Sequence, residues 1–335
     1  MEVSGRIVRL RLAETFVIAR ERQDWAELVE VELRHDGLVA HGEAAPIERY
    51  GESATSALAF VEAHGGLLGD DPFALEEIGV RLADVPGEHA AKAAIDAALH
   101  DLQGRLLGVP VWRLLGVQRT GPPTSWTIWL GDPDEMARRA ERAARDGRFR
   151  RLKLKLGGSD GLDVERVKAV RSITHLPLQV DVNEWWSLDE ALEALPRLAE
   201  LGVEYVEQPL RAGDDGGAQL RERSPVPVYV DEDCHTLADV ARCAEIAHGV
   251  TIKLAKAGGI REATRMAHAA RALGLGVMLG CMIESGLGIA AGCCVAPLCD
   301  HVDLDGNLLL AEDPRPGVEL VDGVQVPPDA PGLGV

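Results

Sequence analysis

The sequence is short of lysine and of positive charge altogether. Six of its 35 basic residues are lysine, and 54 acids outweigh them, so the formal net charge is -19 and the pI about 4.9. Polyanions are repelled by such a surface, which argues against nucleic acid and anionic membrane as partners. Most of the surplus acid reads as a solvated face. No apolar run reaches the roughly 18 residues of a transmembrane span. The opening Met1-Glu-Val-Ser-Gly-Arg6 has no apolar stretch behind a basic start, so no export signal is expected. The cysteines (Cys234, Cys243, Cys281, Cys293, Cys294 and Cys299) form no C-x-x-C pair, and the last three lie in an apolar, Ala-rich stretch. They read as buried free thiols in a reducing compartment, and the expectation is a cytoplasmic protein. Internal repeats and low-complexity segments are absent. No G-x-G-x-x-G or Walker sequence follows any strand-like run, which removes the usual reason to favour an open nucleotide-binding sheet.

What is present divides in two. The 335 residues suit a barrel of roughly 250 with a second domain. Residues 3–10, 26–34 and about 38–43 alternate as antiparallel strands, with a polar loop from Phe16 to Trp25. From Ser53 to about Gly116 the pattern is helical. Its longest stretch, Ala90 to Leu107, is stopped by Gly108-Val-Pro110. This is an α+β domain. From Thr124 on, short apolar strands alternate with helices such as Pro133–Asp146 and Leu188–Leu201. The strands fall at 124–130, 151–156, 178–182, 203–207, 226–231, 249–254, 274–279 and 301–304. Repeated units of this size predict a parallel barrel, with a doubly wound open sheet as the alternative. The fold expected is α/β, a TIM-like barrel over 119–305 capped by 1–118. The Pro- and Gly-rich tail 306–335 is expected to return to the cap.

The few lysines fall where chemistry needs them. Lys153 and Lys155 sit two apart in Arg-Leu-Lys-Leu-Lys-Leu, so a strand carries both on one face while leucines fill the other. Pointing into a barrel, they would repel each other and lose hydration, which lowers their pKa towards that of a usable base. Asp181, Glu207 and Asp231 then close successive strands, and Lys253 ends the next. Any one carboxylate could be a helix cap. Three at the mouth of one barrel resist ionising together unless a divalent cation joins them, and an all-oxygen set favours Mg²⁺. Lys155 and Lys253 are then expected on opposite sides of the mouth. A substrate carboxylate on Mg²⁺ has a more acidic α-proton, and two bases on opposite faces permit its removal from one side and return on the other. The enolase-type pairing of Lys or His with Mg²⁺ is a known solution to this problem. Lys153 would stay charged as electrostatic support.

Lys153-Leu-Lys155, Asp181-Val-Asn183, Glu207-Gln-Pro209, Asp231-Glu232 and Lys253-Leu-Ala-Lys-Ala-Gly-Gly259 together resemble the muconate-lactonising subgroup of the enolase superfamily. The resemblance covers essentially the whole chain. It implies an α+β cap over a (β/α)7β barrel, Mg²⁺ on Asp181, Glu207 and Asp231, and Lys155 and Lys253 as acid and base. Asn183 and Glu232 would orient the ligands. Within the subgroup the chain looks most like the dipeptide epimerases. Asp303-Leu-Asp305 matches their D-x-D, which implies a seat for a dipeptide's free ammonium, though capping is the plainer alternative. Gly42-Glu-Ala-Ala-Pro46 and Gly280-Cys-Met-Ile-Glu284-Ser285 also look like this group, which places Glu284 at the substrate. Thr127 falls where the group has a threonine near the substrate. Arg20 or Arg22 would hold a substrate carboxylate, Glu21 would select a cation, or each is a solvated loop charge.

Trp129, Glu184-Trp185-Trp186 and Arg20-Glu21-Arg22 depart from the group's pattern and leave the dipeptide's identity open. The implied activity is epimerisation of a dipeptide at its C-terminal residue. N-succinylamino acid racemase, o-succinylbenzoate synthase and muconate cycloisomerase are the runners-up. A binding relative without activity is the alternative of another class. Oligomeric state is not fixed by the sequence, and a homo-oligomer is compatible with it.

Overall fold

The structure is a computed structural model that describes residues 1–335. Its first sheet is antiparallel: β1 (Glu2–Val17), β2 (Arg22–His35) and β3 (Leu38–Ala44). The β2–β3 turn is Asp36-Gly37, with φ of 48° and 76°, the mirror-image turn whose twist suits a hairpin. The expected loop from Phe16 to Trp25 is shorter than predicted. β1 and β2 run on with Phe16 opposite Gln23 and Val17 opposite Arg22, leaving only 18–21 as the tip. Aromatic and β-branched residues on both arms favour this extension.

Three helices back the sheet: Ala54–His64, Leu75–Ala83 and His89–Leu107. Ser53 opens the first through a reciprocal box with Ser56. The third is Ala-rich and buried on nearly all sides. Small residues let β3 approach it closely: a Cβ on Gly42 would lie 1.9 Å from the Ala94 carbonyl oxygen.

Eight parallel strands follow: β4 (Trp126–Ile128), β5 (Leu152–Lys155), β6 (Leu178–Asp181), β7 (Val203–Glu207), β8 (Val228–Val230), β9 (Gly249–Lys253), β10 (Gly276–Gly280) and β11 (His301–Asp303). Each pairs with its neighbour in chain order. The ring is joined by a bridge between Thr124 and Val302, with the Ser125 amide donating to the Val302 carbonyl at 2.9 Å. All eight predicted strands are present, most of them trimmed at their ends. Leu152, Leu154, Val180 and Val206 face outward into an apolar layer shared with the helices. The lower interior is filled by Tyr205, Tyr229 and Met278, with Ser125 and Tyr205 both donating to Gln179. Glycine is required beside Tyr229, because a Cβ on Gly249 would lie 2.3 Å from its ring. The barrel is therefore a packed core below and open only at the strands' C-terminal ends.

The tail does two jobs. The hairpin β12 (Glu319–Val321) and β13 (Val324–Val326) closes the barrel floor, where the Thr124 amide donates to Gly323 O. The last residues return to the cap side: Gly332 exchanges bonds with Val109 and Val111, and the Leu333 amide donates to Asp101. No helix is long and apolar enough to cross a membrane.

Candidate active site

Parallel register sets the site. Lys155 pairs with Asp181, Asp181 with Glu207, and Lys253 with Gly280, so the strand ends lie side by side at one rim. Just past them, Asn183, Glu184 and Gln208 take left-handed backbone at φ of 50°, 70° and 36°. Such strain in residues other than glycine gathers at functional sites. Gln208 uses it well: its Oε1 accepts from the Asp231 amide at 2.9 Å, and its Nε2 donates to Leu210 O and Asp233.

The lysines and acids interlock. Lys155 Nζ is 2.7 Å from Asp181 Oδ2, and Lys253 Nζ is 2.7 Å from Asp231 Oδ2. Lys153 Nζ lies 2.8 Å from Asp303, 2.6 Å from Glu207 and 3.3 Å from Asp181. The expectation that crowding between Lys153 and Lys155 lowers the lysine pKa is not met for Lys153, and Lys253 is raised as well. Burial opposes their charge, but Asp303, Glu207 and Asp181 hold Lys153 well above the usual range. Asp231 does the same for Lys253, with help from Tyr50 and Glu207. The carboxylates outnumber the ammonium groups, and that decides the sign.

The acids divide by their partners. Burial raises Asp181 and Asp231, but lysines outweigh it and hold both well below the usual carboxylate range. Glu207 is pushed up to about 7, first by burial and then by Asp181 and Asp231, against Lys153. Both of its oxygens are buried without a hydrogen bond, since the Lys153 contact is an ion pair outside hydrogen-bond geometry. The three acids do not converge as a ready cage, each being drawn to an ammonium instead. The donor set nonetheless fits a hard divalent cation. It is all oxygen, it is buried, and Glu207 has free lone pairs.

These groups open on a small cavity of about 90 Å³, enough for a few waters, between barrel and cap. Lys155, Lys253, Asn183, Thr127, Asp303 and Asp305 line its barrel side, while Phe16, Ile18, Ile47, Tyr50 and Leu309 line its roof. A larger void of about 430 Å³ lies by helix Leu75–Ala83 but holds none of the strand-end acids or lysines. Asp305 accepts from the Thr127 amide at 2.7 Å and is pushed up to about 7 by burial and by Asp303. Asp303 Oδ1 is buried with no partner.

Other expected residues sit differently. Asn183 reaches Asp181 through its backbone amide, at 3.0 Å, while its side-chain oxygen has no partner. Glu232 touches Arg20 at 2.8 Å and no ligand candidate, and burial pushes it up to about 7. Arg20 lines the cavity but is occupied by Glu232, Glu184 and the Asn183 carbonyl. Glu284 does not line the cavity; it turns towards Glu43 of the cap and accepts from the Met282 amide. Trp129 packs on Phe16, Trp185 is on the outer surface, and Trp186 donates to Asp163 at 2.8 Å. None of the three lines the cavity.

Two residues beyond the sequence reading complete the site. Lys256, wholly buried, donates to Asp231 and to the carbonyls of Cys234 and Thr251. Its i+3 spacing from Lys253 was the available signal. Tyr50 reaches the cavity while stacked on His235 at 4.6 Å. The aromatic in Arg49-Tyr-Gly-Glu52 was the only hint of it.

Residues 2–116 match the family model for the mandelate racemase / muconate lactonizing enzyme N-terminal domain, and 135–335 match the enolase C-terminal domain-like model. The chain is 38% identical over 330 residues to an L-Ala-D/L-Glu epimerase of Bacteroides thetaiotaomicron, covering 97% of this chain and 85% of that protein. It superposes on a dipeptide epimerase from Enterococcus faecalis complexed with Mg and L-Leu-L-Tyr. The TM-score is 0.95 at 31% identity, covering 99% of this chain and 98% of the other. An N-succinyl Arg/Lys racemase from Bacillus cereus matches with a TM-score of 0.94 at 30% identity, over 100% of this chain and 95% of the other.

Proposed function

The chain belongs to the mandelate racemase / muconate lactonizing enzyme family of enolase-like proteins, and from that premise we propose a Mg²⁺-dependent dipeptide epimerase acting at the C-terminal α-carbon. It is an isomerase. We assign the catalytic barrel to 119–305 and the cap to 1–118 with the tail 306–335. Asp181, Glu207 and Asp231 would hold Mg²⁺, which when bound would supply Lewis acidity towards a substrate carboxylate and so acidify the neighbouring α-proton.

The chain's own residues do the rest. Lys155 and Lys253 flank the α-carbon, one taking its proton as the other donates from the opposite face. For Lys253 to act as the base it must first give up the proton that Asp231 favours. Lys153 stays charged between Glu207, Asp181 and Asp303 and supports the negative charge that develops on the substrate. Gln208 and Lys256 fix Asp231. The packed cap keeps water away from the groups once substrate is bound.

The observation that most favours a dipeptide over an N-acylated amino acid is Asp303. Its Oδ1 is buried without a partner beside Asp305, a place suited to an ammonium and costly for a neutral amide. The test is exchange in D₂O. Dipeptide with enzyme and Mg²⁺ should gain one deuterium at the C-terminal α-carbon, lose that ability in EDTA and regain it with Mg²⁺. Exchange of N-succinyl amino acids in preference to dipeptides would give the racemase reading instead. The substrate is a small molecule in the cytoplasm.

A further inference from the structure

We infer that the side chain at the inverted carbon is apolar, and that Arg20 latches the cap instead of receiving a substrate carboxylate. This rests on the epimerase reading and adds the substrate class to it.

The geometry assigns the four substituents of the α-carbon in turn. Its hydrogen faces one of the two lysines. Its carboxylate goes to the floor, towards the Mg²⁺ that Asp181, Glu207 and Asp231 would hold. Its nitrogen leads to the ammonium seat at Asp303 and Asp305. The remaining direction is the roof, where Phe16, Ile18, Ile47 and Tyr50 come down from the cap. Ile18 is nearly wholly buried there. An apolar side chain loses water against that roof, a carboxylate would find no free cation there, and an ammonium would find only Glu21, which is exposed at the rim.

Arg20 is the one arginine in the lining, and it is already committed. Its Nη2 donates to Glu232 Oε1 at 2.8 Å, and its Nη1 contacts Glu184 and the Asn183 carbonyl at 3.3 Å. Glu184 is held in turn by Arg49 at 2.9 Å and by the Ala212 amide at 3.0 Å. An incoming carboxylate would meet two carboxylates before it met a free cation. Removing Arg20 would leave Glu232, whose side chain is fully shielded, buried without its counterion.

The experiment measures kcat/KM for L-Ala-L-Leu, L-Ala-L-Glu, L-Ala-L-Lys and N-succinyl-L-Leu, with Mg²⁺, on the wild type and on Arg20→Met. In the wild type L-Ala-L-Leu should lead both charged dipeptides by about tenfold or more. In Arg20→Met L-Ala-L-Leu should still lead and the ratio of L-Ala-L-Glu to L-Ala-L-Leu should not fall, because Arg20 receives no substrate carboxylate. A lead for L-Ala-L-Glu or L-Ala-L-Lys in the wild type overturns the inference. A selective loss of L-Ala-L-Glu turnover in the variant also overturns it. Turnover of N-succinyl-L-Leu alone overturns the epimerase reading itself. If the variant does not fold, the wild-type ranking decides.

Discussion

At the residue scale the reaction rests on a few groups with separable roles. Lys155→Ala and Lys253→Ala should each abolish epimerisation, yet each should still exchange the α-proton of one stereoisomer with D₂O, because one base remains. NMR of the recovered dipeptides checks this, and full epimerisation by either variant removes the two-base assignment. Asp303→Asn keeps the shape but halves the charge of the ammonium seat. A charge-assisted contact in a shielded place is worth roughly 1.5–3 kcal/mol, so kcat/KM for a dipeptide should fall about tenfold to a hundredfold. An N-acetylated analogue should lose far less, which separates the ammonium contact from damage to Lys153. That these lysines and acids gather at one rim was legible in the sequence because they recur at strand ends about one βα unit apart. The commitment of Arg20 was not legible. Its partners Glu184 and Glu232 are more than 160 residues away, and nothing local announces them.

At the scale of elements, the barrel strands were the easiest part to read and the cap loop the hardest. Short apolar runs recurring between helices predicted the barrel strands, because a parallel strand is covered on both faces. The tip between β1 and β2 was overdrawn as a loop because its pairing depends on the opposite arm. Glu284, read as a substrate residue, belongs to another joint. Glu43 at the end of β3 accepts from the Ser285 amide at 2.8 Å and from its hydroxyl, and lies close to Glu284. Burial pushes the Glu43 carboxyl up to about 8, with Glu284 adding to it against the two Ser285 bonds. In the unfolded chain this carboxyl ionises near 4.3. Between those values the folded state holds a proton that the unfolded state has lost, so this group's contribution falls as pH rises towards 8 and levels off above it. Glu43→Gln should therefore lose less Tm between pH 5 and 8 than the wild type. Parallel Tm curves would show that Glu43 does not carry the effect.

At the scale of the whole molecule, cap, barrel and tail are held by a few buried polar joints as well as by apolar packing. Asp101, with no exposed surface, accepts from the amides of His41 and Leu333 and from Arg105. It thus joins β3, the long helix and the chain's last turn. Asp101→Ala leaves one buried and one half-buried amide unsatisfied and should cost about 2–4 kcal/mol. Urea unfolding should show a lower midpoint at unchanged slope. A shift below about 0.5 kcal/mol would mean that the tail is held without it. The sequence anticipated the tail's return only from its composition, since Asp101 looks like any helical acid until Leu333 is placed beside it.

That same joint gives the molecule an order of assembly in time. Residues 1–116 are synthesised before the barrel and the tail, but amides that bind Asp101 and Val109 belong to Leu333 and Gly332. At about 5–20 residues per second, the cap waits on the order of ten to forty seconds for its closing turn. During that interval the apolar underside of the cap has neither tail nor barrel to cover it. The nascent cap is then the stage most exposed to aggregation, and the one at which a chaperone would be needed.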